Sequence, residues 1–227
     1  MMESENIKLT QTLADIEVST DTVFCRSLVT TGMLTEVQMR HAAERYMLGR
    51  TDDGGVVFWV IDERQQVRDG KIMFYRDDCH RDHDHTPDWM INRLKRSYGY
   101  NGDIGIERCL FGLHLLRPAT IAVVEAEKTA VICSELFPQF LWMASGGQTM
   151  LNVARLYPLR EHKVVLFPDT DPKGKTYTDW LEKAEAAQSE FRHPIRVSRI
   201  LEERATSEQK QRKIDIVDFL FETITTY

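Results

Sequence analysis

The spacing of apolar residues changes near Pro118, and this change predicts two regions in the chain. In the first region, the stretch TEVQ fits a threonine-to-glutamine capping box and predicts a helix over 35–48 that stops at Gly49. Two β-rich runs, 56–62 and 71–75, then predict an antiparallel hairpin. The other expected pieces of this α+β region are a hairpin connection with Gly70, a polar loop over 76–88, a short helix over 88–97 and an apolar piece over 109–116.

Beyond Pro118, short apolar runs alternate with helical patterns. Strands are expected over 121–124, 140–144, 163–167 and 195–200, with helices over 127–136, 148–157, 174–190 and 212–225. Fully apolar strands alternating with helices are typical of a parallel sheet that is covered on both faces. The predicted fold is therefore α/β: a smaller N-terminal α+β domain over 1–117, followed by a Rossmann-like domain with a mainly parallel sheet over 118–227.

Composition and charge narrow the functional classes. The chain has 227 residues, 42% hydrophobic and 28% charged, as in an ordinary globular protein. The N-terminal stretch has no apolar targeting core and no apolar run is long enough for a membrane span, so we expect a cytoplasmic protein without membrane contact. Four widely separated cysteines suit reduced thiols. The formal net charge of -6 argues against binding nucleic acid by charge alone, although NRLKRSY (92–98) is locally basic.

Polar residues gather where the strands of the second region end. Glu125 follows the first strand, SGG (145–147) follows the second, and Asp169 and Asp171 follow the third. Ligands of open α/β sheets bind at this edge, and adjacency of the first and third strands would bring the acids together. Because Mg²⁺ prefers oxygen ligands and keeps several waters, we expect a magnesium site here.

Each of these residues also has an ordinary structural interpretation, which the sequence leaves open. Asp171 before Pro172 is a good helix cap, and Glu125 suits the positive end of the following helix. The SGG stretch is equally typical of a tight strand-to-helix turn and of a phosphate-binding loop.

Two stretches together resemble the toprim domain of bacterial primases, topoisomerases and certain nucleases. VVEAEKTA (123–130) resembles its strand ending in glutamate, and FPDTDPKG (167–174) resembles its strand ending in Asp-x-Asp-x-x-Gly. The chain is most similar to toprim-like proteins of bacterial mobile elements, through the runs at 57–62, 70–73 and 109–116 and through DIVDFL from Asp215. Ala126 replaces a glycine that often follows the toprim glutamate.

The resemblance implies roles for individual residues. Glu125 would be a metal ligand or general acid/base, and Asp169 and Asp171 would be ligands of Mg²⁺, with Mn²⁺ as the alternative ion. For Lys128 and Lys173 it implies contacts with substrate phosphates, against the alternative of ordinary surface lysines, and Gly146 and Gly147 are expected at the same site. Asp215 and Asp218 match the family's terminal motif, or are exposed charges at a helix start.

The implied function is Mg²⁺-dependent action on nucleic-acid phosphates in the replication or processing of mobile-element DNA. The partners would be single-stranded DNA or a primer-template, together with replication proteins such as a helicase. The chain lacks the zinc-binding module of primases, so the reaction stays open between nucleotidyl transfer and phosphodiester cleavage. A non-catalytic binding module is the main alternative, and a small-molecule phosphotransferase is a third.

One further cluster of possible metal ligands contains Cys79, His80, His83 and His85. We expect these residues in a solvated loop rather than at a zinc site, because no second ligand pair accompanies them.

Overall fold

The alternation of apolar runs produces two separate sheets. A computed structural model describes residues 16–99 and 106–224, and the chain divides into two units, Met1–His114 and Leu115–Tyr227. The first unit holds an antiparallel sheet and the second a parallel one. The prediction of a mainly parallel α/β fold, preceded by a smaller α+β part with a hairpin, is confirmed.

The first unit packs helices against a four-stranded sheet of order β1-β2-β3-β4. Its central strand β2 is buried at every position, as its continuous apolar run predicts. The elements are α1 (Val23–Thr30), α2 (Glu36–Tyr46), β1 (Gly49–Arg50), β2 (Val56–Ile61), β3 (Val67–Met73), β4 (Asp88–Trp89) and α3 (Met90–Ser97).

Two local details of this unit differ from expectation. The helix α2 has the predicted capping box at Thr35, but it ends at Met47 in the left-handed conformation (φ 55°) rather than at Gly49, which is part of β1. Gly70 lies within β3 opposite Trp59, not in the hairpin connection. A side chain at Gly70 would meet Met90 at 2.8 Å, so the strand needs glycine for close packing.

A buried ion pair joins the sheet of the first unit to its last described segment. Asp69 in β3 is fully buried and accepts hydrogen bonds from the backbone N–H groups of Gly70 and Ile91, at 2.8 and 3.2 Å. The Arg108 guanidinium lies 2.7 Å from its second oxygen and stacks on Trp89. Burial raises the pKa of Asp69, while these hydrogen bonds and the Arg108 charge oppose the rise.

The second unit has strand order β6-β5-β7-β8, and β5 pairs in parallel with both β6 and β7. The expected adjacency of the first and third strands is therefore present. The elements are β5 (Thr120–Val124), α4 (Glu127–Leu136), β6 (Phe140–Ala144), α5 (Val153–Leu156), β7 (Lys163–Leu166), α6 (Lys175–Ala187), β8 (Arg196–Val197), α7 (Ile200–Arg204), α8 (Ser207–Arg212) and α9 (Ile216–Ile224), with 3₁₀ turns at Tyr157–Leu159 and Gln188–Glu190. A further 3₁₀ turn, Leu113–Leu115, includes the last two residues of the first unit.

Several expected elements of the second unit are shorter than predicted, and two of them have a clear local feature at the changed boundary. The helix expected over 148–157 begins only at Val153, because Asn152 is extended and caps it. The last strand is limited to Arg196–Val197. The final helix begins at Ile216, since Lys213 in the left-handed conformation ends α8, and residue 225 lies outside the described residues.

Of the helices in the described parts of the chain, none combines the length and apolar character needed to cross a bilayer.

Replacing Arg108 by methionine should destabilise the first unit. The change leaves a buried carboxylate without its counter-charge, and we expect a loss of about 2 kcal/mol or more in the free energy of unfolding at pH 7. Arg96→Met is the matched control, because it removes an exposed arginine that pairs with Asp88 and should cost less than about 1 kcal/mol. Urea unfolding measures both, and equal losses would contradict the buried pair.

The cost of Arg108→Met should also depend on pH. Burial raises the pKa of Asp69, so the charged form is unfavourable in the folded state, and removal of Arg108 raises this pKa further. At a pH below the ordinary aspartate value the carboxyl group is protonated in both states, and the loss of stability should be small. It should grow as the pH rises through the folded-state pKa. A pH-independent loss would contradict this explanation.

Candidate metal centre

The pairing of β5 with β7 brings Glu125 next to Asp169. Val123 is the parallel partner of Leu166, and the N–H of Phe167 donates to the Val123 carbonyl at 2.8 Å. Each strand then ends, Glu125 following one and Asp169 the other. The backbone N–H of Asp169 lies near the Glu125 carboxyl group and acts to lower the pKa of that group. The two acidic residues therefore meet at the carboxyl edge of the sheet, where ligands of such folds bind.

Glu125 is buried and incompletely hydrogen-bonded. Only 7% of the residue is exposed, and its Oε1 atom has no hydrogen-bond partner. Burial raises the pKa of Glu125; the Asp169 amide and the charge of Lys183 oppose this rise, and the charges of Asp215 and Asp171 add to it. A buried, unpartnered carboxylate oxygen is costly, which makes this atom suited to a cation or a proton.

Asp169 stands in a more strongly negative environment. The residue keeps some exposure, but protein atoms surround its carboxyl group closely, and desolvation raises its pKa well above the ordinary value. The charges of Glu125, Asp215 and Asp218 raise this pKa further, and Lys128 opposes them. The arrangement concentrates negative charge that a cation would relieve.

Thr170, which lies between Asp169 and Asp171 in the sequence, directs its side chain toward α7. The Thr170 hydroxyl donates to Glu202 in α7 at 2.9 Å, and the Thr170 N–H donates to the Ile214 carbonyl. The chain has left the sheet here, since β7 ends at Leu166. Asp169 and Asp171 both lie close enough to Glu125 for electrostatic coupling or hydrogen bonding.

Asp171 serves the start of helix α6. Its Oδ1 accepts the Lys173 N–H at 2.9 Å, and its Oδ2 accepts the Thr176 N–H at 2.6 Å. Desolvation acts to raise its pKa, but the amide hydrogen bonds outweigh it, so the pKa lies below the ordinary value. The helix begins at Lys175 rather than at Pro172, with Gly174 in the left-handed conformation as its cap. Both carboxylate oxygens of Asp171 thus accept hydrogen bonds from backbone amides at the start of α6, as in a helix cap.

Asp215 and Asp218 of the terminal motif lie close to the acidic pair and form hydrogen bonds at the start of α9. Asp215 is buried, accepts a hydrogen bond from the Thr129 hydroxyl, and accepts the Asp218 N–H at 2.8 Å. Asp218 accepts the Asp215 N–H at 3.4 Å in return. These two aspartates cap α9 rather than standing as exposed charges. Lys128 lies in the first turn of α4, with its Nζ 3.8 Å from Asp218 Oδ1 and only 13% of its side chain exposed.

The glycine loop lies at the same edge of the sheet. Gly146 and Gly147 have positive φ values of 91° and 148°, and the Gly146 N–H donates to the Glu125 carbonyl at 3.0 Å. The Gln148 amide donates to the Thr176 hydroxyl at 3.0 Å, which ties this loop to α6. A side chain at Gly146 would approach Glu127 Oε1 at 3.3 Å. The backbone carbonyl of Glu125 and the Thr176 hydroxyl thus hold this loop in place.

Other expected basic residues are less closely associated with the acids. Lys173 is exposed beside Asp171. In the first unit, the basic stretch over 92–98 forms part of α3, and its arginines pair with acidic residues of the same unit: Arg93 with Asp53 and Asp88, and Arg96 with Asp88.

The histidine-rich loop forms a small hairpin, with a bridge between Tyr75 and Arg81. Cys79 is buried in a left-handed conformation (φ 62°). His80 hydrogen-bonds Asp78, and His85 binds Asp82 at 2.7 Å while stacking on Phe74. The rings of His80 and His85 therefore form hydrogen bonds with aspartates of the same loop.

Within residues 16–99 and 106–224, no three His, Cys, Asp or Glu side chains converge as a ready-made metal cage. Glu125, Asp169 and Asp171 therefore lie near one another without forming a three-ligand site. Mg²⁺, however, is commonly held by one or two carboxylates together with waters and substrate phosphate. The adjacent pair Glu125 and Asp169, with the unpartnered Oε1 of Glu125, fits that requirement.

A family model matches residues 23–170 of the chain, which is more than half of its length. Its description is "Domain of unknown function (DUF6371)". The chain belongs to this family. In this DUF6371 member the matched region includes Glu125 and Asp169, whereas Asp171 lies just beyond it. No curated protein matches the chain significantly in sequence.

The chain is similar in structure to several solved primase domains, and one of them matches well enough to identify the fold. The DnaG primase catalytic domain bound to ssDNA matches with a TM-score of 0.52 and 14% identity, over 95% of this chain and 81% of that chain. The E. coli primase catalytic core matches with a TM-score of 0.45 and 16% identity, over 94% and 75%. The primase fragment of the bacteriophage T7 primase-helicase protein gives 0.44 and 17%, over 70% of this chain, which spans 60% of that fragment. The match to the DnaG catalytic domain shows that this DUF6371 member has a toprim-like α/β fold.

Two residues near the centre were missed from the sequence. Glu127 is buried at the start of α4 beside Gly146, and Lys183 of α6 acts electrostatically on Glu125. Glu127 carries a local signal, since an acidic residue two positions after Glu125 opens the same helix. Lys183 has none, because only the packing of α6 brings it near the strand end.

Isosteric substitutions at the two aspartates should have opposite effects on the metal-free protein. At pH 8, Asp169→Asn removes a charge that the fold disfavours and should raise the free energy of unfolding by about 1 kcal/mol. Asp171→Asn removes a charge that the amides of α6 favour and should lower it by a similar amount, about 1 kcal/mol. Urea unfolding in EDTA measures both. Shifts of the same sign and size would contradict the division of roles between the two aspartates.

Proposed function

We propose that this protein is a Mg²⁺-dependent enzyme that acts on nucleic-acid phosphates, in the primase or nuclease class, during replication or processing of mobile-element DNA. The observation that carries the proposal is the contact of Glu125 with Asp169 at the carboxyl edge of the parallel sheet, with an unpartnered carboxylate oxygen. The toprim-like fold supports it, and the ssDNA-bound state of one structural neighbour makes single-stranded DNA the first substrate to test.

Glu125 and Asp169 would hold the cation, with Mg²⁺ preferred and Mn²⁺ as the alternative. When bound, a divalent ion supplies neutralisation of phosphate charge and orientation of the attacking oxygen. Asp171 would act chiefly by fixing the first turn of α6, through the amides of Lys173 and Thr176. This keeps the loop after β7 in place, so that Asp169 stays against Glu125.

Proton transfer is a second role for Glu125. Burial raises its pKa, so the group can be protonated closer to neutral pH than an ordinary glutamate, as a general acid or base requires. Lys173, exposed next to the acidic loop, would contact a substrate phosphate. Gly146 and Gly147 would line the approach at the end of β6, where a side chain at Gly146 would crowd Glu127.

The proposed partners are a primer-template or single-stranded DNA and replication proteins such as a helicase. We place the protein in the cytoplasm, where separated thiols like Cys25, Cys79, Cys109 and Cys133 remain reduced.

A non-catalytic nucleic-acid or replication-protein binding module is the second candidate. It is favoured by one observation: Asp171, a ligand in the expected set of three, has both oxygens engaged by amides of α6. A protein of this kind would keep the fold and the acidic pair without turning over a substrate.

Divalent-cation binding tests the centre directly. Titration of the metal-free protein with Mn²⁺, followed by electron paramagnetic resonance, should show a site that Asp169→Ala weakens by about tenfold or more, because the variant removes one of two charged ligands. Glu182→Ala is the control, since Glu182 is an exposed acid on α6 of the same unit. Equal binding by wild type and Asp169→Ala would overturn the proposed site.

Reaction assays separate the two candidate functions. With a single-stranded DNA template, nucleoside triphosphates and Mg²⁺, the enzyme proposal expects primer synthesis or strand cleavage that is lost in EDTA. The variant Asp169→Ala should lose that activity by about 100-fold, while its DNA binding persists. Binding of single-stranded DNA with no Mg²⁺-dependent product, under conditions where the protein binds Mn²⁺, would support the binding module instead.

A further inference from the structure

A lysine side chain, Lys128, lies among the acidic residues of the centre. Lys128 comes three residues after Glu125, in the first turn of α4 (Glu127–Leu136). Its ammonium group lies 3.8 Å from Asp218 Oδ1, and 13% of its side chain is exposed, against 28% for Asp218. A lysine with most of its surface covered, beside carboxylates, differs from the ordinary solvated lysine.

The position of Lys128 is held from two sides. The next residue, Thr129, is fully buried and donates its hydroxyl hydrogen to Asp215. At the start of α9, the Asp218 N–H donates to the Asp215 carboxylate at 2.8 Å, and the Asp215 N–H donates to the Asp218 carboxylate at 3.4 Å. Helix α4 and helix α9 are thereby joined at their N-termini, with Lys128 at the junction. The ammonium group of Lys128 is therefore placed beside Asp218 by hydrogen bonds that fix both helix starts.

The charge of Lys128 also reaches the proposed ligands. It opposes the rise in the pKa of Asp169 that desolvation, Glu125, Asp215 and Asp218 produce. The buried Oε1 of Glu125 has no hydrogen-bond partner in the same cluster. A fixed positive charge near an acidic pair lowers the local negative potential, and it repels a divalent cation that approaches the pair.

We propose that Lys128 is the charge-balancing residue of this centre: its ammonium group neutralises part of the acidic cluster in the metal-free protein and competes with the divalent cation held by Glu125 and Asp169. This inference rests on the proposed function, since it concerns the same cation. It assigns Lys128 a role within the protein, in place of the phosphate contact that the family resemblance implies, and leaves phosphate contact to the exposed Lys173.

The test is Mn²⁺ affinity at pH 8 and low ionic strength, measured by electron paramagnetic resonance without nucleic acid. Lys128→Gln should bind Mn²⁺ about tenfold more tightly than wild type, and the difference should shrink in high salt. Lys128→Arg keeps the charge and should stay within about twofold of wild type. Lys163→Gln is the matched control, because Lys163 is an exposed lysine at the start of β7, at the other end of that strand from the acidic centre, and this variant should also stay within about twofold.

Two further variants test the same pair from the side of Asp218, and Asp218→Asn alone keeps the inference testable if Lys128→Gln folds poorly. Asp218→Asn removes the carboxylate that pairs with Lys128, so the ammonium group should act more strongly on Asp169 and weaken Mn²⁺ binding by about tenfold. The double variant Lys128→Gln with Asp218→Asn should return close to wild type. If Asp218 were instead a direct ligand, the double variant would stay as weak as Asp218→Asn, which would overturn the inference.

The remaining outcomes separate this inference from the proposed function. Mn²⁺ binding that depends on Asp169 but is unchanged in Lys128→Gln would overturn the charge-balancing role and leave the metal centre standing. Unchanged Mn²⁺ affinity together with weakened DNA binding in Lys128→Gln would overturn it in favour of phosphate contact. No Mn²⁺ binding by wild type would overturn the metal centre itself, and this inference with it.

Discussion

The pairing of two parallel strands, β5 and β7, creates the chemistry of this protein. Because the strands run in the same direction and in register, their ends bring Glu125 and Asp169 to one place. The backbone N–H of Asp169 lies near the Glu125 carboxyl group and opposes the rise in the pKa of Glu125. A shift of the register would move one carboxyl group away from the other.

The surrounding contacts manage the cost of this concentration of charge. The Asp171 carboxylate is stabilised by hydrogen bonds from the amides at the start of α6. The Asp215 carboxylate is stabilised by the Thr129 hydroxyl and by the Asp218 N–H at the start of α9. Lys128 stands beside Asp218. Glu125 and Asp169 are left with raised pKa values and an unpartnered oxygen. The acidic residues thus divide into those that hold helices in place and a pair suited to a cation.

Elements with a continuous apolar pattern could be predicted from the sequence, and those made by single side chains could not. The strand β5, the helix α4 and the strand β6 follow directly from their apolar runs. Helix α1 was missed. Helix α5 is shorter than its apolar periodicity suggests, because Asn152 takes an extended conformation.

The same difference holds at the centre. Glu125 and Asp169 could be predicted to meet, because both follow strands that the pattern identifies. The hydrogen bonds of Asp171 with Lys173 and Thr176 distinguish a helix cap from a metal ligand only once the loop is folded. The burial of Lys128 depends on how α9 packs against α4, two elements almost 90 residues apart in sequence.

A crystal structure of the protein grown with Mn²⁺, with anomalous diffraction data collected at the manganese absorption edge, would show directly whether Glu125 and Asp169 hold a metal ion together. We expect one anomalous peak at the carboxyl edge of the parallel sheet, about 2.1 Å from oxygens of both Glu125 and Asp169. A fully occupied manganese elsewhere in the molecule, with Glu125 and Asp169 contacting only protein and water, would contradict it.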